Sequence, residues 1–498
     1  MSKNLDILLI IPPTRLQVYQ GLSNSLAAIE VPVWAGLIAN YLDAKGLNVS
    51  ILDAEALGYD HKQTAKSIAE KSAALNVFVI YGQQPSASTQ CMPGGRLVCE
   101  HLNDIGDFET IVMGTHPSAL PEKTLLEEPY KYVCQGEGPY TIVALLNELK
   151  NGKRNFTKVP GLWYIDGDKV AQGPVASLIN DLDKTLPQQA WKMLDMSMYR
   201  AHNWHCFDDL TSRESYASLQ TSLGCPYKCS FCCINAPFGG SGIRYWSAQN
   251  ILEQIDVLVK DYSIRNIKIP DEMFVLNKRH VIEICDGLIE RNYNLNIWAY
   301  ARIDTIKDEY LEKLKKAGFN WLALGIESGS KHVRDGVEKG RFDEADIIKT
   351  VNKIRDHGIY ICANYIFGLP DDTMETMRET LDLALEINSE WANFYCAMAY
   401  PGSQLHALAQ SKSWQLPEDN AEPGWIGYSQ HAYDTLPLPT ETLPYEQVLD
   451  FRDMAFNEYF QSPTYLDMIE KTFGNDVVKH INEMAQHKLA RRHHEKQK

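Results

Sequence analysis

The chain has 498 residues, a formal net charge of −16, and 45% hydrophobic against 22% charged residues. At about 100–200 residues per domain it holds about two to four domains, each large enough for its own core. The composition excludes collagen-like, low-complexity and wholly disordered chains, and the acidic balance argues against a sequence-independent grip on nucleic acid.

No run approaches the ~18 apolar residues that cross a bilayer, so no membrane span is expected. The apolar stretch Ile7 to Ile11 stops at Pro12-Pro13, too early for an anchor or a signal peptide. A cytoplasmic protein is expected, whose 11 cysteines are thiols, metal ligands or redox groups and not disulfides.

In chain order, short apolar runs (Leu5–Ile11, Val49–Leu52, Val77–Tyr81, Thr110–Met113) alternate with helical stretches near Val33–Ala44, His61–Ala73 and Gly95–Leu102. That alternation predicts βαβ units around a parallel sheet. Tyr132–Val133, the turn Gln135-Gly136-Glu137-Gly138 and a helix from Tyr140 to Lys150 complete a doubly wound, Rossmann-like or flavodoxin-like domain over residues 1–150. Residues 151–213 read as a connector, with a hairpin Gly161–Ile165/Lys169–Ala171 about the Asp166-Gly167 turn.

A second series begins at Ala217–Leu223 and continues through Asn266–Ile269, Leu295–Tyr300, Trp321–Ile326, Tyr360–Phe367 and Trp391–Met398. Helices are expected between them at Ala248–Tyr262, Arg279–Arg291, Asp308–Ala317, Asp343–Asp356 and Thr373–Ile387. Residues 214–400 therefore predict a partial (β/α)6 TIM-like barrel whose strand C-termini carry the chemistry. The α/β fold closes with a mainly helical region, 401–498, read as a substrate cover. It has an aromatic loop, helices near Tyr445–Gln461 and Pro463–Leu489, and a solvated, frayed basic tail from Arg491.

After the first barrel strand comes Gly224-Cys225-Pro226-Tyr227-Lys228-Cys229-Ser230-Phe231-Cys232-Cys233. A CxxxCxxC triple arises by chance in about one chain in two hundred of this cysteine content. Structural zinc wants four protein ligands, and no second CxxC or HxxxH accompanies the triple. Three thiolates suit a cubane iron–sulfur cluster with one iron left open to a substrate or cofactor.

This motif, so placed, resembles the radical S-adenosylmethionine superfamily. The resemblance implies a [4Fe-4S] cluster on Cys225, Cys229 and Cys232, with the open iron chelating S-adenosylmethionine, and places Phe231 beside the adenine. Cys233 has no cluster role in that pattern and reads as a small buried residue. The acidic strand end Asp271-Glu272 implies acceptors for the methionine ammonium, and Arg302 a partner for its carboxylate. Gly325-Ile326-Glu327-Ser328 resembles the segment whose Glu327 and Ser328 serve ribose or methionine, although a serine here can also cap the next helix. Ile366-Phe367-Gly368-Leu369-Pro370 resembles the segment lying against adenine, with Gly368 permitting close approach.

The N-terminal domain lacks GxGxxG and GxxxxGK[ST], which weakens nucleotide readings. Its turns Pro12-Pro13-Thr14, Asp53-Ala54, Gly82-Gln83-Gln84-Pro85-Ser86, Gly114-Thr115-His116-Pro117-Ser118 and Gly136-Glu137-Gly138 sit at strand ends, where open α/β sheets bind ligands. Together they resemble the cobalamin-binding domain of class B radical S-adenosylmethionine enzymes. That implies corrinoid contacts at Thr14, Asp53, Ser86, Gly114, Thr115, His116, Gly136 and Glu137. The DxHxxG signature of a lower axial histidine is absent, so His116 is read as a turn histidine bonded to backbone and not as an axial ligand.

The resemblance implies a methyltransferase that acts on an unactivated carbon of a small molecule through a 5′-deoxyadenosyl radical, fed by an electron donor such as flavodoxin or ferredoxin. Two alternatives stand beside it: a cobalamin-independent radical cyclase or oxidase, and a non-catalytic iron–sulfur sensor or scaffold.

Overall fold

The computed structural model describes residues 5–23, 26–82, 86–340, 342–419 and 424–495. Of the expected Gly82–Ser86 turn, residues 83–85 lie outside these, as do 496–498 of the tail.

Seven strands form the first sheet: β1 (Ile7–Ile11), β2 (Val49–Asp53), β3 (Leu75–Ile80), β4 (Thr110–Gly114), β5 (Tyr132–Cys134), β6 (Leu162–Asp166) and β7 (Lys169–Gln172), in the order β2-β1-β3-β4-β5-β6-β7. The first five are parallel. Order 2-1-3-4-5 is flavodoxin-like, with its topological switch point between β1 and β3. β3 and β4 are buried along their whole length, as apolar strands covered on both faces must be. The hairpin β6–β7 was expected in the connector. It instead joins β5 in antiparallel pairing, because an open β5 edge accepts another strand at no topological cost. The sheet therefore runs on to Gln172, past the expected boundary at 150.

The helix expected near Gly95–Leu102 spans Ala87–Ile105, passing through Pro93. Gly94 and Gly95 let it lie against Pro13 and Tyr130, where a Cβ would collide.

Residues beyond the hairpin pack against the barrel and do not merely link it. Ile29 bridges Arg200, Gln189 donates to the Ser218 carbonyl at 2.9 Å, and Trp204 sits 5.1 Å from Trp298 and 5.2 Å from Trp321, plugging the barrel floor.

The barrel sheet contains β8 (Tyr216–Ser218), and after a two-stranded ribbon, β9 (Ser222–Leu223) with β10 (Arg244–Tyr245), it continues as β11 (Asn266–Ile269), β12 (Asn296–Arg302), β13 (Phe319–Glu327), β14 (Tyr360–Phe367) and β15 (Trp391–Cys396). All pairings in the order β8-β11-β12-β13-β14-β15 are parallel. The expected first strand Ala217–Leu223 is thus split: its second half leaves the barrel to pair with β10.

Beyond the barrel, helices cover Tyr445–Phe460, Pro463–Phe473 and Asn475–Ala485. The single helix expected over Pro463–Leu489 breaks at Gly474, whose φ of +89° ends one segment and starts the next. The tail is not frayed at Arg491, which is 2% exposed and donates to Asp453, Gln430, Ala432 and Thr435. No helix among the described residues is long and apolar enough to cross a membrane.

Candidate active site

Alternate residues of each barrel strand face inward, so Lys268 and Pro270, Trp298 and Tyr300, Ala323 and Gly325, and Cys362, Asn364 and Ile366 all line one cavity of about 910 Å³. The same cavity reaches the strand ends of the first sheet at Pro12, Thr14, Asp53, Tyr81 and Ser86, and the C-terminal residues Arg452, Asp453 and His487. It lies where two topological rules place ligands, at the C-terminal rim of the barrel strands and at the β1/β3 switch point.

Cys225, Cys229 and Cys232 all line this cavity. They follow Gly224, whose φ of +89° turns the chain off β9 and whose missing Cβ clears the Gly242 carbonyl. Within the loop the Cys232 amide donates to the Cys229 carbonyl at 3.0 Å, and Ser230 is tied to Val337. Burial pushes the Cys225 thiol up to about 11 and Cys232 well above its ordinary value. These two sulfurs are thus neutral thiols until a metal displaces their protons. Cys233 is buried at 3% exposure, as its apolar reading expects, yet it also lines the cavity.

Arg302 closes one side. Its Nη1 lies 3.5 Å from Cys229 Sγ, its guanidinium stacks 4.0 Å over the Tyr227 ring, and Asp304 engages both Nε and Nη2 at 3.0 Å. It therefore sits at the rim of the cysteine loop with a carboxylate already on it. Glu272 lines the cavity; burial, then the charge of Asp271, pushes its carboxyl up to about 7. Phe231 lines the cavity and packs against Leu369, Ala397, Val333 and Val337. Glu327, at φ +68°, also lines it and forms a buried ion pair with Lys339.

Three expected S-adenosylmethionine contacts point elsewhere. Asp271, 1% exposed, accepts from the Thr221 amide (2.7 Å) and from the Thr221 and Ser222 hydroxyls (both 2.6 Å). It braces the segment leading to the cysteine loop, because a buried carboxylate must be hydrogen-bonded. Ser328 is fully buried against Thr380 at 3.1 Å and accepts from the Ser330 amide, a local capping role. Gly368, at φ +79°, faces Val448 of the helix Tyr445–Phe460, where an added Cβ would collide. Asp372 accepts from the Gly368 and Leu369 amides at 3.0 Å, and Thr373 caps the next helix.

On the opposite side, Thr14, Asp53, Ser86 and Thr115 line the cavity. The Thr14 amide donates to Glu55 at 2.6 Å, and Asp53 caps the following turn while accepting from Tyr199 at 3.0 Å. The other four expected corrinoid contacts do not reach it. Gly114 at φ +157° serves close packing on the Ile80 carbonyl. His116 is buried with Nδ1 3.3 Å from Thr89 Oγ1 and its ring 4.4 Å from Trp425, so it bonds a side chain and not backbone. The Gly136 amide donates to Ser118. Glu137 is 4% exposed, pairs with Arg244 and accepts from the Ile179 amide at 2.7 Å, clasping the first sheet to the barrel.

Residues that the sequence reading missed complete the wall. Glu30 meets Lys268 (3.0 Å), His202 (3.3 Å) and Tyr216. Burial opposes its charge, yet these partners hold its carboxyl down near 2. Lys268, an ammonium in the apolar run Ile267–Ile269, was the one legible signal among them. Asn393 donates to Asn364 at 3.0 Å across adjacent strands, while Trp298 Nε1 and Gln220 Oε1 find no partner among the described residues. Lys339 lies in a loop with no periodicity to mark it.

Residues 219–384 match the Radical SAM superfamily. The chain is 27% identical over 411 residues to an uncharacterized methyltransferase of Pyrococcus horikoshii, covering 82% of this chain and 83% of that one. It is 26% identical over 388 residues to the anaerobic magnesium-protoporphyrin IX monomethyl ester cyclase of Rubrivivax gelatinosus, covering 75% of this chain and 65% of that one. Among solved structures, TsrM from Kitasatospora setae with cobalamin and a [4Fe-4S] cluster bound superposes with a TM-score of 0.69 at 17% identity, over 92% of this chain and 90% of that one. OxsB, a cobalamin-dependent radical enzyme, gives 0.68 at 16% identity over 97% and 72%. The cysteine loop and the barrel thus fall in a Radical SAM superfamily domain, residues 219–384, and with the flavodoxin-like sheet ahead of it the chain has the fold of the cobalamin-bound TsrM and OxsB structures.

Proposed function

We propose that this protein methylates an unactivated carbon of a small molecule. The observation that carries the proposal is the single cavity onto which the three thiols of one loop and the switch point of a flavodoxin-like sheet both open. Methyltransferase relatives matched over 82% and 78% of this chain support it. When bound, the cluster and S-adenosylmethionine supply a 5′-deoxyadenosyl radical and the corrinoid supplies a methyl group.

In this reading Cys225, Cys229 and Cys232 hold the cluster, Glu272 accepts the methionine ammonium, and Glu327 with Lys339 fixes the polar end of the cofactor. Arg302 acts on the cluster from Cys229 and not on the methionine carboxylate. Thr14, Asp53, Ser86 and Thr115 are the residues of the first domain that fit a corrinoid contact. The substrate enters the barrel, where Lys268, Asn364, Asn393 and the Trp298 indole supply polar contacts and the wall of Trp298 and Trp391 excludes water from the radical. An electron donor of flavodoxin or ferredoxin type and a cytoplasmic setting belong to the same proposal.

Anaerobic reconstitution with iron, sulfide and hydroxocobalamin, desalting, and metal and corrinoid quantification test it, with Cys225→Ala as control. About four irons and about one corrinoid per chain are expected. A cluster without corrinoid leaves a cobalamin-independent radical cyclase or oxidase. A cluster that never cleaves S-adenosylmethionine leaves a sensor or scaffold.

A further inference from the structure

The C-terminal segment brings three ligand atoms together at the edge of the cavity, where His494 forms part of its lining. His493 Nε2 and His494 Nε2, from the short helix Arg492–Glu495, lie 2.7 and 2.9 Å from the same oxygen, Oδ1 of Asp450 in the helix Tyr445–Phe460. The two rings are 4.1 Å apart, and all three ligand atoms lie within 4.8 Å of one another. Two neutral imidazoles and a carboxylate are an N/O donor set that suits zinc and other divalent transition ions, whereas calcium and magnesium prefer all-oxygen sets.

We propose that Asp450, His493 and His494 form a three-ligand site for a divalent transition ion, zinc in the first instance. Tetrahedral bonds of ~2.0–2.1 Å set ligand atoms about 3.3 Å apart, so the two histidine–carboxylate distances, 2.7 and 2.9 Å, need to open by only about half an ångström to admit the ion. His493, 5% exposed, is held in the body of the protein, while the His494 and Asp450 side chains are half-exposed and leave the fourth position to water.

The site has a consequence for the cavity. Arg491, next to His493's helix, is locked onto Asp453, whose neighbours Arg452 and Phe456 line the cavity together with His487, Lys488, Leu489 and His494. An ion at Asp450 ties this tail to the helix beneath it, and so fixes the C-terminal wall of the cavity.

The test uses tag-free, cluster-loaded protein, with its cysteines occupied, dialysed against micromolar zinc and then analysed for metals and digested with trypsin. Wild type is expected to retain about one zinc per chain beyond that of Asp450→Asn and the half-exposed His494→Gln, all three with equal iron. Zinc at about ten times its dissociation constant is expected to slow tryptic release of the tail at Lys488 and Arg492 about tenfold in wild type only. Equal zinc in wild type and both variants, or none in any, overturns the site. Zinc retention without protection overturns its role in holding the tail. Equal iron in the three proteins shows that the variants are folded.

Discussion

Arg302 Nη1 lies 3.5 Å from the Sγ of Cys229. A hydrogen bond from a cation to a cluster sulfur stabilises the more negative, reduced state and raises the potential. Arg302→Gln is expected to keep full iron content and lower the cluster's reduction potential. At a fixed donor potential the ratio of reduced to oxidised cluster should fall at least tenfold, since a charge-assisted bond contributes about 1.5–3 kcal/mol. Arg302→Lys, which loses the stack on Tyr227, should recover part of the potential. An unchanged potential in the glutamine variant would return Arg302 to the methionine carboxylate.

Glu272 carries a pH signature. Burial and Asp271 raise its carboxyl to about 7, above its ordinary value, so the folded protein binds the extra proton between pH ~4.5 and ~7. Its contribution to stability is present below that window and is lost as pH rises through it. A bound ammonium prefers the carboxylate, so the affinity for S-adenosylmethionine should rise from pH 6 to about 7 and then level off. The steepest change allowed is about tenfold per unit. Calorimetric titration of cluster-loaded protein from pH 6 to 8 reads this. Glu272→Gln should bind more weakly and without pH dependence; a flat profile in wild type removes Glu272 from the ammonium.

His116 is the residue most easily mistaken for a cobalt ligand. Burial lowers its pKa to about 3, Nε2 finds no partner among the described residues, and Trp425 stands 4.4 Å from its ring while donating to Glu128 at 2.9 Å. His116→Phe removes an unsatisfied buried nitrogen and keeps the aromatic contact but gives up the Nδ1 bond to Thr89, so it should cost about 1–2 kcal/mol in denaturant unfolding. Corrinoid retention should equal that of wild type. The electron paramagnetic resonance spectrum of the cob(II)alamin form should show no histidine nitrogen splitting in either protein. Nitrogen splitting that vanishes in the variant would establish ligation.

What the sequence disclosed and what it hid follow from how local each signal is. The cysteine spacing, the alternation of strands and helices, and the strand-end positions of Glu272, Arg302 and Glu327 are local patterns, and all of these residues line the cavity. Asp271 sits beside Glu272, yet it faces Thr221 and Ser222, since successive residues past a strand end point in opposite directions. Glu137 and Gly114 lie at strand ends as expected, but their partners, Arg244 and the Ile80 carbonyl, are set by tertiary packing that no local window contains. The Glu30–Lys268–His202 cluster joins three segments far apart in the chain, and only the lysine within an apolar strand left a trace.

Gly368 separates two explanations of one glycine. The sequence pattern gives it to adenine; the structure sets it at φ +79° against Val448, where an added Cβ would collide. Gly368→Ala combines left-handed strain of about 1 kcal/mol with overpacking of about 1–3 kcal/mol, so a loss of about 2–4 kcal/mol in denaturant unfolding is expected. The packing part should be relieved by Val448→Ala, so the double variant should be more stable than the sum of the single changes allows, by roughly 1 kcal/mol or more. S-adenosylmethionine affinity in the double variant should then approach that of Val448→Ala alone. If Gly368→Ala instead unfolds like wild type yet fails to bind the cofactor, and Val448→Ala does not rescue it, the space beside Gly368 belongs to the ligand.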